Sequence, residues 1–155
     1  MGEKLAKRLK ESRFESPLQE AILNLMVTAD YLRRHTETIC AEFDITRAQY
    51  NVLRILRGVY PEGHPRCEVA QRMVEHAPDV TRLIDRLESQ GLVERDRSGD
   101  DRRLSLTRIT RKGLDLIKRM EPAMSELSAA VQKRISRQEL VELSRICEKI
   151  YEDDA

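Results

Sequence analysis

The most constraining stretch of this chain runs from residue 80 to residue 110, where a helix pattern ends at a glycine and two short alternating segments follow. One helix face is formed by the apolar residues Val80, Leu83, Ile84 and Leu87, and Gly91 follows as the C-cap. After it, LVERDR and RLSLTRI flank SGDD, and apolar and polar residues alternate in the second segment. The pattern predicts a helix that runs directly into a two-stranded hairpin.

A second helical segment precedes this unit and lies only a few residues from it. The stretch RCEVAQRMVEHA carries four apolar residues at helical spacing: Val69, Ala70, Met73 and Val74. Pro78 then stands at the expected start of the helix PDVTRLIDRLESQ. So short a connection between two helices is typical of a helix-turn-helix.

Longer amphipathic segments lie on both sides of this unit, and Ser or Thr residues mark where helices begin. Capping boxes are expected at Ser16 with Gln19, Thr46 with Gln49, and Ser136 with Glu139. Pro17 stands at the first helical position after Ser16, and Gly58 ends the helix that Thr46 begins. The stretch VYPEGHP that follows is expected to be a turn-rich connector.

The C-terminal part of the chain is predicted to be helical almost to its end. Thr110 is expected to cap a long helix over RKGLDLIKRMEPAMSELSAAVQKRI. Pro122 should kink or reset this helix, because proline lacks the backbone N–H and its ring clashes with the preceding turn. The last helix, which begins after Ser136, carries an apolar face made of Leu140, Leu143, Ile146, Cys147 and Ile150.

Composition limits the classes of partner. The 155 residues hold 28 Lys and Arg against 27 Asp and Glu, a net charge of +1, so overall charge predicts neither a nucleic-acid nor a membrane partner. Three widely spaced cysteines, an odd number, fit a reducing cytoplasm better than a disulfide framework. The chain also lacks a run of about 18 apolar residues. We therefore expect a soluble cytoplasmic protein without a membrane partner.

A helix-turn-helix followed at once by a hairpin suits double-stranded DNA. The second helix fits a major groove about 12 Å wide, and the hairpin can reach the minor groove or the backbone. The residues VTRLIDRLESQGLVERDRSGDDRRLSLTRITRKG, 80 to 113, resemble the multiple-antibiotic-resistance regulator (MarR) family of bacterial transcription factors. They contain V-T-R-L-hydrophobic-D-R-L-E, then G-L-V-x-R, then D-x-R in the wing; the chain has Ile109-Thr110 where Leu-Thr is usual. The resemblance implies a regulator of transcription. We do not expect an enzyme, because the serines and the three histidines form no triad, P-loop or H-E-x-x-H pattern.

The expected fold class is mainly α: a winged helix-turn-helix with a two-stranded wing and long N- and C-terminal dimerisation helices. Residues 17–43 and 111–151 carry more apolar surface than one small winged helix can cover, so we expect them to pair in a homodimer. The expected division is a helical dimerisation region at 16–45 and 111–151 and a DNA-binding winged helix-turn-helix at 46–110. Two recognition helices would then match a pseudo-palindromic operator.

The DNA contacts are expected first at the start of the recognition helix. Its first turns hold Pro78, Asp79, Thr81 and Arg82. Arg82 can bind guanine O6 and N7; Asp79 can accept from cytosine N4, although we favour its interaction with the positive end of the helix dipole. Arg86, one turn on, is a candidate for a phosphate contact, with an intrahelical ion pair as the alternative.

The wing supplies the second set of candidates. The resemblance implies that Asp101 braces the wing and that Arg103 enters the minor groove, while Arg102 can serve equally because adjacent strand residues point to opposite sides. Arg95 and Arg97 are expected to support either the wing or the phosphates. Thr46, Arg47 and Gln49 can meet a phosphate at their helix N-terminus, but the capping box is the interpretation we favour.

The resemblance also suggests an effector, a small aromatic or phenolic acid bound between the dimerisation helices and the winged domain. Arg33, Arg34 or His35 could meet its carboxylate, although a solvated helix face looks the same. Ligand binding would change the spacing of the two recognition helices and release DNA from a repressor, with activation left open. No cofactor is predicted.

Three alternatives compete with this hypothesis. A thiol-based redox sensor would use Cys40, Cys67 or Cys147, of which Cys67 beside Arg66 is the best candidate. A metal site would use His64, Cys67 and His76, but no further pair at matching spacing completes four ligands. A winged-helix protein-interaction module is the third alternative, and a strongly acidic recognition face would favour it.

Overall fold

The computed structural model describes residues 2–11, 13–96 and 105–152. Within these ranges the chain is mainly helical and forms one small antiparallel sheet. The helices are α1 (Glu3–Leu9), α2 (Pro17–Ala41), α3 (Arg47–Arg57), α4 (Arg66–Gln71), α5 (Val80–Ser89), α6 (Arg111–Gln132) and α7 (Arg137–Ile150). The strands are β1 (His64–Pro65), β2 (Val93–Arg95) and β3 (Leu106–Ile109).

The capping residues predict the helix starts well. Thr46 and Ser136 each form the complete capping box with the residue three positions on. At α2, Ser16 accepts from the backbone N–H of Gln19, but the Gln19 side chain accepts from Glu15 N at 2.7 Å. This capping box is therefore only half formed, because the Gln19 side chain accepts from the backbone N–H of Glu15 instead of that of Ser16.

Helix α1 was not predicted from the sequence. It packs against α2 and buries Leu5 at 4% exposure, while most of its other side chains are charged. Its single buried apolar residue gives too weak a periodic signal for a helix of this length.

The core lies between the helix-turn-helix and the first half of α6. Leu53 and Leu56 of α3 and Leu87 of α5 are fully buried, and Met120 of α6 closes the cluster from the other side. All buried residues of α6 lie between positions 113 and 120. The winged region therefore buries its own apolar face within one copy of the chain.

The sheet has one more strand than the predicted hairpin. Strands β2 and β3 pair antiparallel with Val93 opposite Ile109, and β1 adds to the free side of β3, with His64 opposite Thr107. The stretch VYPEGHP is thus not only a connector. A proline is tolerated in β1 because this is an edge strand, where one backbone N–H is not needed. Gly63 permits the close approach: a Cβ there would lie 2.5 Å from the Thr107 carbonyl oxygen.

A compact junction joins the wing to the helices on both sides. Gly91 takes φ +70°, a left-handed conformation that glycine adopts without strain, just after α5. The Thr110 hydroxyl donates to the Gly91 carbonyl at 2.7 Å and accepts from Gly113 N at 3.1 Å. One side chain thus caps α6 and holds the two ends of the hairpin together.

Proline 122 does not interrupt α6, so the predicted restart of the helix is wrong, while the alternative of a kink stays a prediction. The proline removes the hydrogen bond to the carbonyl of Lys118. Both residues are exposed, so water can satisfy that carbonyl, while the buried residues of the preceding turns hold the helix in place. The location on the solvent side explains why the helix continues.

The terminal helices differ from the core helices in their burial. None of the residues of α7 is buried, and Leu143, Ile146 and Ile150 are 41%, 43% and 57% exposed. Helix α2 buries only Cys40 and exposes Leu18 and Met26. None of the helices in the described part of the chain combines the length and the apolar character needed to span a membrane.

Candidate nucleic-acid interface

The recognition helix starts later than the sequence suggested. Helix α5 begins at Val80, and Asp79 is its N-cap, with its carboxylate accepting from Arg82 N at 3.0 Å. Pro78 lies outside the helix, before the cap. The prediction that Pro78 begins the helix is wrong because Asp79 offers the side-chain acceptor that the orphan N–H groups require, and proline does not. The preceding helix α4 is also shorter than predicted and ends at Gln71.

The two faces of α5 are clearly separated. Val80, Ile84 and Leu87 are buried, whereas Arg82 and Arg86 lie one turn apart on the outside. The Arg82 side chain is 79% exposed and pairs loosely with Asp79, its Nε lying 3.1 Å from Oδ2. Arg86 is exposed, and none of the described carboxylates forms an ion pair with it. The helix therefore presents two cations to solvent, of which Arg82 also contacts the N-cap carboxylate.

The side chain of Thr81 is hydrogen-bonded to the neighbouring helix α4. Arg66, the first residue of α4, donates from Nη1 to the Thr81 hydroxyl at 2.8 Å. This bond crosses from one helix of the helix-turn-helix to the other at the end where α5 begins. It fixes the position of the Thr81 side chain and brings a third arginine, Arg66, to this surface.

Arg95 braces the wing against α5. Its guanidinium lies 2.6 Å from Asp85 and 3.3 Å from Glu88, and its side chain is only 21% exposed. Arg95 points inward because it lies two residues after the buried Val93 on the same face of β2. Of the two roles left open for Arg95, the structure gives it the support of the wing.

The contacts of Arg95 also determine which charged residues of α5 have a partner. Asp85 and Glu88 are the carboxylates of α5 nearest to Arg86 in the sequence and would be the candidates for its intrahelical ion pair. Both are engaged by Arg95, and Asp79 is engaged in capping. The acidic residues of α5 thus have partners within the fold, whereas Arg86 forms no ion pair with any described carboxylate.

The base of the wing is fixed by a second group of contacts. Asp96 N donates to the Leu106 carbonyl, the Ser105 hydroxyl donates to the Asp96 carbonyl at 2.6 Å, and Arg108 pairs with the Asp96 carboxylate at 3.1 Å. The wing candidates Arg97, Asp101, Arg102 and Arg103 lie in residues 97–104, outside the described residues.

Arg47 has a different partner from the phosphate considered in the sequence analysis. Thr46 and Gln49 form the capping box, and Arg47 makes a bidentate ion pair with Glu75 in the turn after α4. This pairing raises the pKa of Arg47 and lowers that of the Glu75 carboxyl. The start of α3 is therefore tied to the segment that leads into α5.

An open cleft of about 280 Å³ lies between α2 and α3, with the turn after α4 at its edge. Arg33 lines it, but its guanidinium is held by Asp30 at 2.6 Å and Glu37 at 2.9 Å. The other arginine of the expected group, Arg34, pairs with the same Asp30, and His35 bonds the Tyr31 carbonyl. These three residues are thus engaged on α2 itself.

The opposite wall of the cleft offers residues that the sequence analysis did not single out. Tyr50, Asn51 and Arg54 of α3 line it, at the spacing of one helix face. Burial raises the pKa of the Tyr50 hydroxyl, which keeps it a neutral donor. No described carboxylate pairs with Arg54. The available signal was Tyr50 and Arg54 one helical turn apart on α3.

The cysteines differ in their surroundings. Cys40 is completely buried, and this burial raises the pKa of its thiol to about 11, so it carries no thiolate at neutral pH. Cys67 is exposed, and Cys147 is half-buried on α7. Among residues 2–11, 13–96 and 105–152, no three His, Cys, Asp or Glu side chains form a group that could hold a metal ion.

Comparison with known proteins agrees with this geometry. The MarR family model matches residues 45–105, from just before α3 to the residue before β3. A MarR transcription factor from Planctomyces limnophilus is 40% identical, with a TM-score of 0.68 over 88% of this chain and 98% of that chain.

Two more distant structures share the fold. MepR from S. aureus, solved with DNA, is 19% identical with a TM-score of 0.73 over 86% of this chain and 95% of its own. PcaV from Streptomyces coelicolor, solved with its natural ligand, is 23% identical with a TM-score of 0.70 over 91% and 95%. Given the 40% identity to the Planctomyces limnophilus protein over nearly its whole length, the chain belongs to the MarR family of transcription regulators.

Proposed function

We propose that this DNA-binding transcription regulator is a dimeric, ligand-responsive repressor, acting in the cytoplasm on a pseudo-palindromic operator. The observation that carries the DNA contact is the outer face of α5, where Arg82 and Arg86 are exposed while the neighbouring carboxylates have partners inside the fold. The solved complex of MepR with DNA supports the same use of this fold.

Each candidate residue then has a physical role. Arg82 reads a base edge in the major groove, with Thr81 beside it, and Arg86 binds a phosphate. Asp79 and Pro78 act indirectly: they set where α5 begins, so they orient its first turn. In the wing, Arg102 or Arg103 enters the minor groove and Asp101 braces the hairpin.

The homodimer is supported by the apolar surface that one copy leaves uncovered. Leu143, Ile146 and Ile150 form a stripe along α7, and α2 adds Leu18 and Met26. Burying such a stripe against the same stripe of a second copy gives a two-fold dimer. The two α5 helices would then lie about 34–36 Å apart, one turn of DNA.

The cleft between α2 and α3 is the proposed effector site. Arg54 offers a cation without a described carboxylate partner, and Tyr50 offers a hydroxyl and an aromatic ring. This combination suits a small aromatic or phenolic carboxylate. The natural ligand in the PcaV structure supports ligand binding by a protein of this fold.

The DNA contacts are tested with single alanine substitutions at Arg82, Arg86 and Arg103. Each should weaken binding to a selected operator duplex, by about 1–3 kcal/mol for a base contact. A phosphate contact should also lower the slope of log K against log salt by about 0.9. The measurement is fluorescence anisotropy over a range of salt concentrations, with Lys118→Ala on α6 as the control.

The outcome also separates DNA binding from a protein-interaction module. Unchanged affinity in Arg103→Ala would remove the wing from the mechanism. Binding of wild type that does not weaken with salt would contradict a DNA interface built on phosphate contacts.

A further inference from the structure

The middle of the turn between α4 and α5 (residues 72–79) is held to α3 by polar contacts of Val74 and Glu75. The Glu75 carboxylate forms its bidentate pair with Arg47, and Val74 N donates to the Asn51 side-chain oxygen at 2.9 Å. The Val74 side chain is 84% exposed, and none of residues 72–79 is buried. Met73 and Ala77 pack against the core on either side, whereas the segment of Val74 and Glu75 between them is held to α3 by these two polar contacts.

Arg47 is shared between two parts of the molecule. Its Nη atoms bind Glu75, while its Nε lies 3.9 Å from Glu37 of α2 and donates no hydrogen bond, although it is buried. Glu37 is in turn held by Arg33 at 2.9 Å. The Nε of Arg47 is therefore a donor without an acceptor, and Glu37 of α2 is a second carboxylate that competes with Glu75 for this arginine.

The position of this pair joins the cleft to the recognition helix. Arg47 and Glu75 both line the cleft, and Glu75 lies four residues before Asp79, the N-cap of α5. An anion in the cleft meets Arg47 where Glu75 already binds it. Since the ion pair is partly exposed, an incoming carboxylate can exchange with Glu75 at a small net cost.

We infer that the Arg47–Glu75 ion pair is the latch through which an anionic ligand in the cleft releases the recognition helix. The inference rests on the proposed effector site. With Glu75 bound, the turn holds the N-terminus of α5 in the DNA-binding position. When the ligand carboxylate binds Arg47, the middle of the turn loses one of its two polar contacts with α3, and α5 shifts. DNA and ligand then bind antagonistically, because each favours a different partner for Arg47.

This mechanism predicts opposite changes in two affinities. Glu75→Gln keeps the size of the side chain but removes the competing charge. Operator affinity without ligand should fall about 3- to 10-fold, the range of a partly exposed bidentate pair. Affinity for the anion should rise, because Arg47 no longer has to leave Glu75. A residue with a merely structural role would weaken both.

Two control variants match Glu75→Gln. Glu121→Gln breaks another ion pair between elements, with Arg57 at 2.8 Å, and its side chain is 57% exposed against 58% for Glu75. It should leave both affinities unchanged. Glu37→Gln removes a negative charge near the same arginine without touching the turn. It should strengthen anion binding slightly without weakening operator binding, because Glu75 still binds Arg47.

The experiment uses the full chain, a duplex selected by wild type from random sequences, and benzoate as the anionic probe. Anisotropy measures operator affinity, calorimetry measures benzoate affinity, and thermal unfolding checks that each variant is folded. Opposite shifts in Glu75→Gln, absent from Glu121→Gln, support the latch. Equal losses of both affinities, or no change, overturn it.

Failure of the proposed function gives a different result. Wild type that binds no operator contradicts DNA binding by this surface. Wild type that binds operator but not benzoate overturns both the effector site and the latch, while leaving DNA binding intact. If wild type binds both and Glu75→Gln behaves as wild type, only the latch is overturned.

Discussion

The winged helix-turn-helix and the C-terminal helix α7 are both amphipathic, but only the first buries its apolar face within one copy of the chain. Leu53, Leu56 and Leu87 are fully buried, whereas Leu143 and Ile146 of α7 stay about two-fifths exposed. The apolar periodicity of the two regions looks the same in the sequence. The difference shows that periodicity predicts a face to be covered and does not say what covers it.

The contrast also separates two kinds of stability. The winged region gains its stability from burial inside the subunit, so its unfolding should depend little on protein concentration. Burial of the α7 stripe requires a second surface, which the proposed homodimer supplies. Stability that comes from association depends on concentration through mass action.

The largest effect is expected in the core. Leu87→Ala should lower the free energy of unfolding by about 2–5 kcal/mol, because it removes buried methyl groups and leaves a cavity. Val74→Ala, at an 84% exposed position of the same region, should change it by less than about 0.5 kcal/mol. Chemical denaturation measures both. Similar losses in the two variants would break the distinction between core and surface in this region.

The next effect concerns the dimer. The double substitution Leu143→Glu and Ile146→Glu should raise the dimer dissociation constant at least about 100-fold, because two charges would be buried in an apolar interface. This corresponds to a loss of about 2.7 kcal/mol in the free energy of association. Light scattering after size exclusion measures the mass of the particle. Val141→Glu, on the opposite side of α7, is the control. A wild-type chain that is a stable monomer would contradict the dimer and the palindromic operator.

The smallest effect compares the caps of the two regions. Thr110→Ala should cost about 1–2 kcal/mol of unfolding free energy, and Ser136→Ala about 0.5 kcal/mol, within the usual range for N-caps. Thr110 costs more because its hydroxyl also donates to the Gly91 carbonyl at the wing junction. Denaturant titration of both variants gives the two losses in the free energy of unfolding, and hence their ratio. A larger loss at Ser136 would mean that α7 is the more firmly integrated region.

The sequence predicted most helix starts because capping depends on neighbours three residues apart. Thr46, Thr110 and Ser136 cap their helices as expected. The buried face of α5 was also predicted, since Val80, Ile84 and Leu87 follow helical spacing. Local rules failed at Pro78 and Pro122, where the effect of proline depended on a competing cap and on exposure to solvent.

The candidate site was predicted less completely. The outward position of Arg82 and Arg86 follows from the pattern of α5, so the sequence sufficed for it. The inward brace of Arg95 could have been inferred from its register with Val93, but its partners on α5 could not. The roles of Asp101, Arg102 and Arg103 remain predictions that rest on family resemblance.

The sequence by itself determined the order of α2 to α7 and of the hairpin, most of the caps, and the family, because these depend on spacings within a few residues and on one dense motif. Only the tertiary structure decided that β1 joins the sheet, that Arg95 engages Asp85, and that Arg47 meets Glu75, 28 residues away. Contacts of this kind form when packing brings distant segments together. Their partners are chosen by the geometry of the fold, and no local periodicity records that choice.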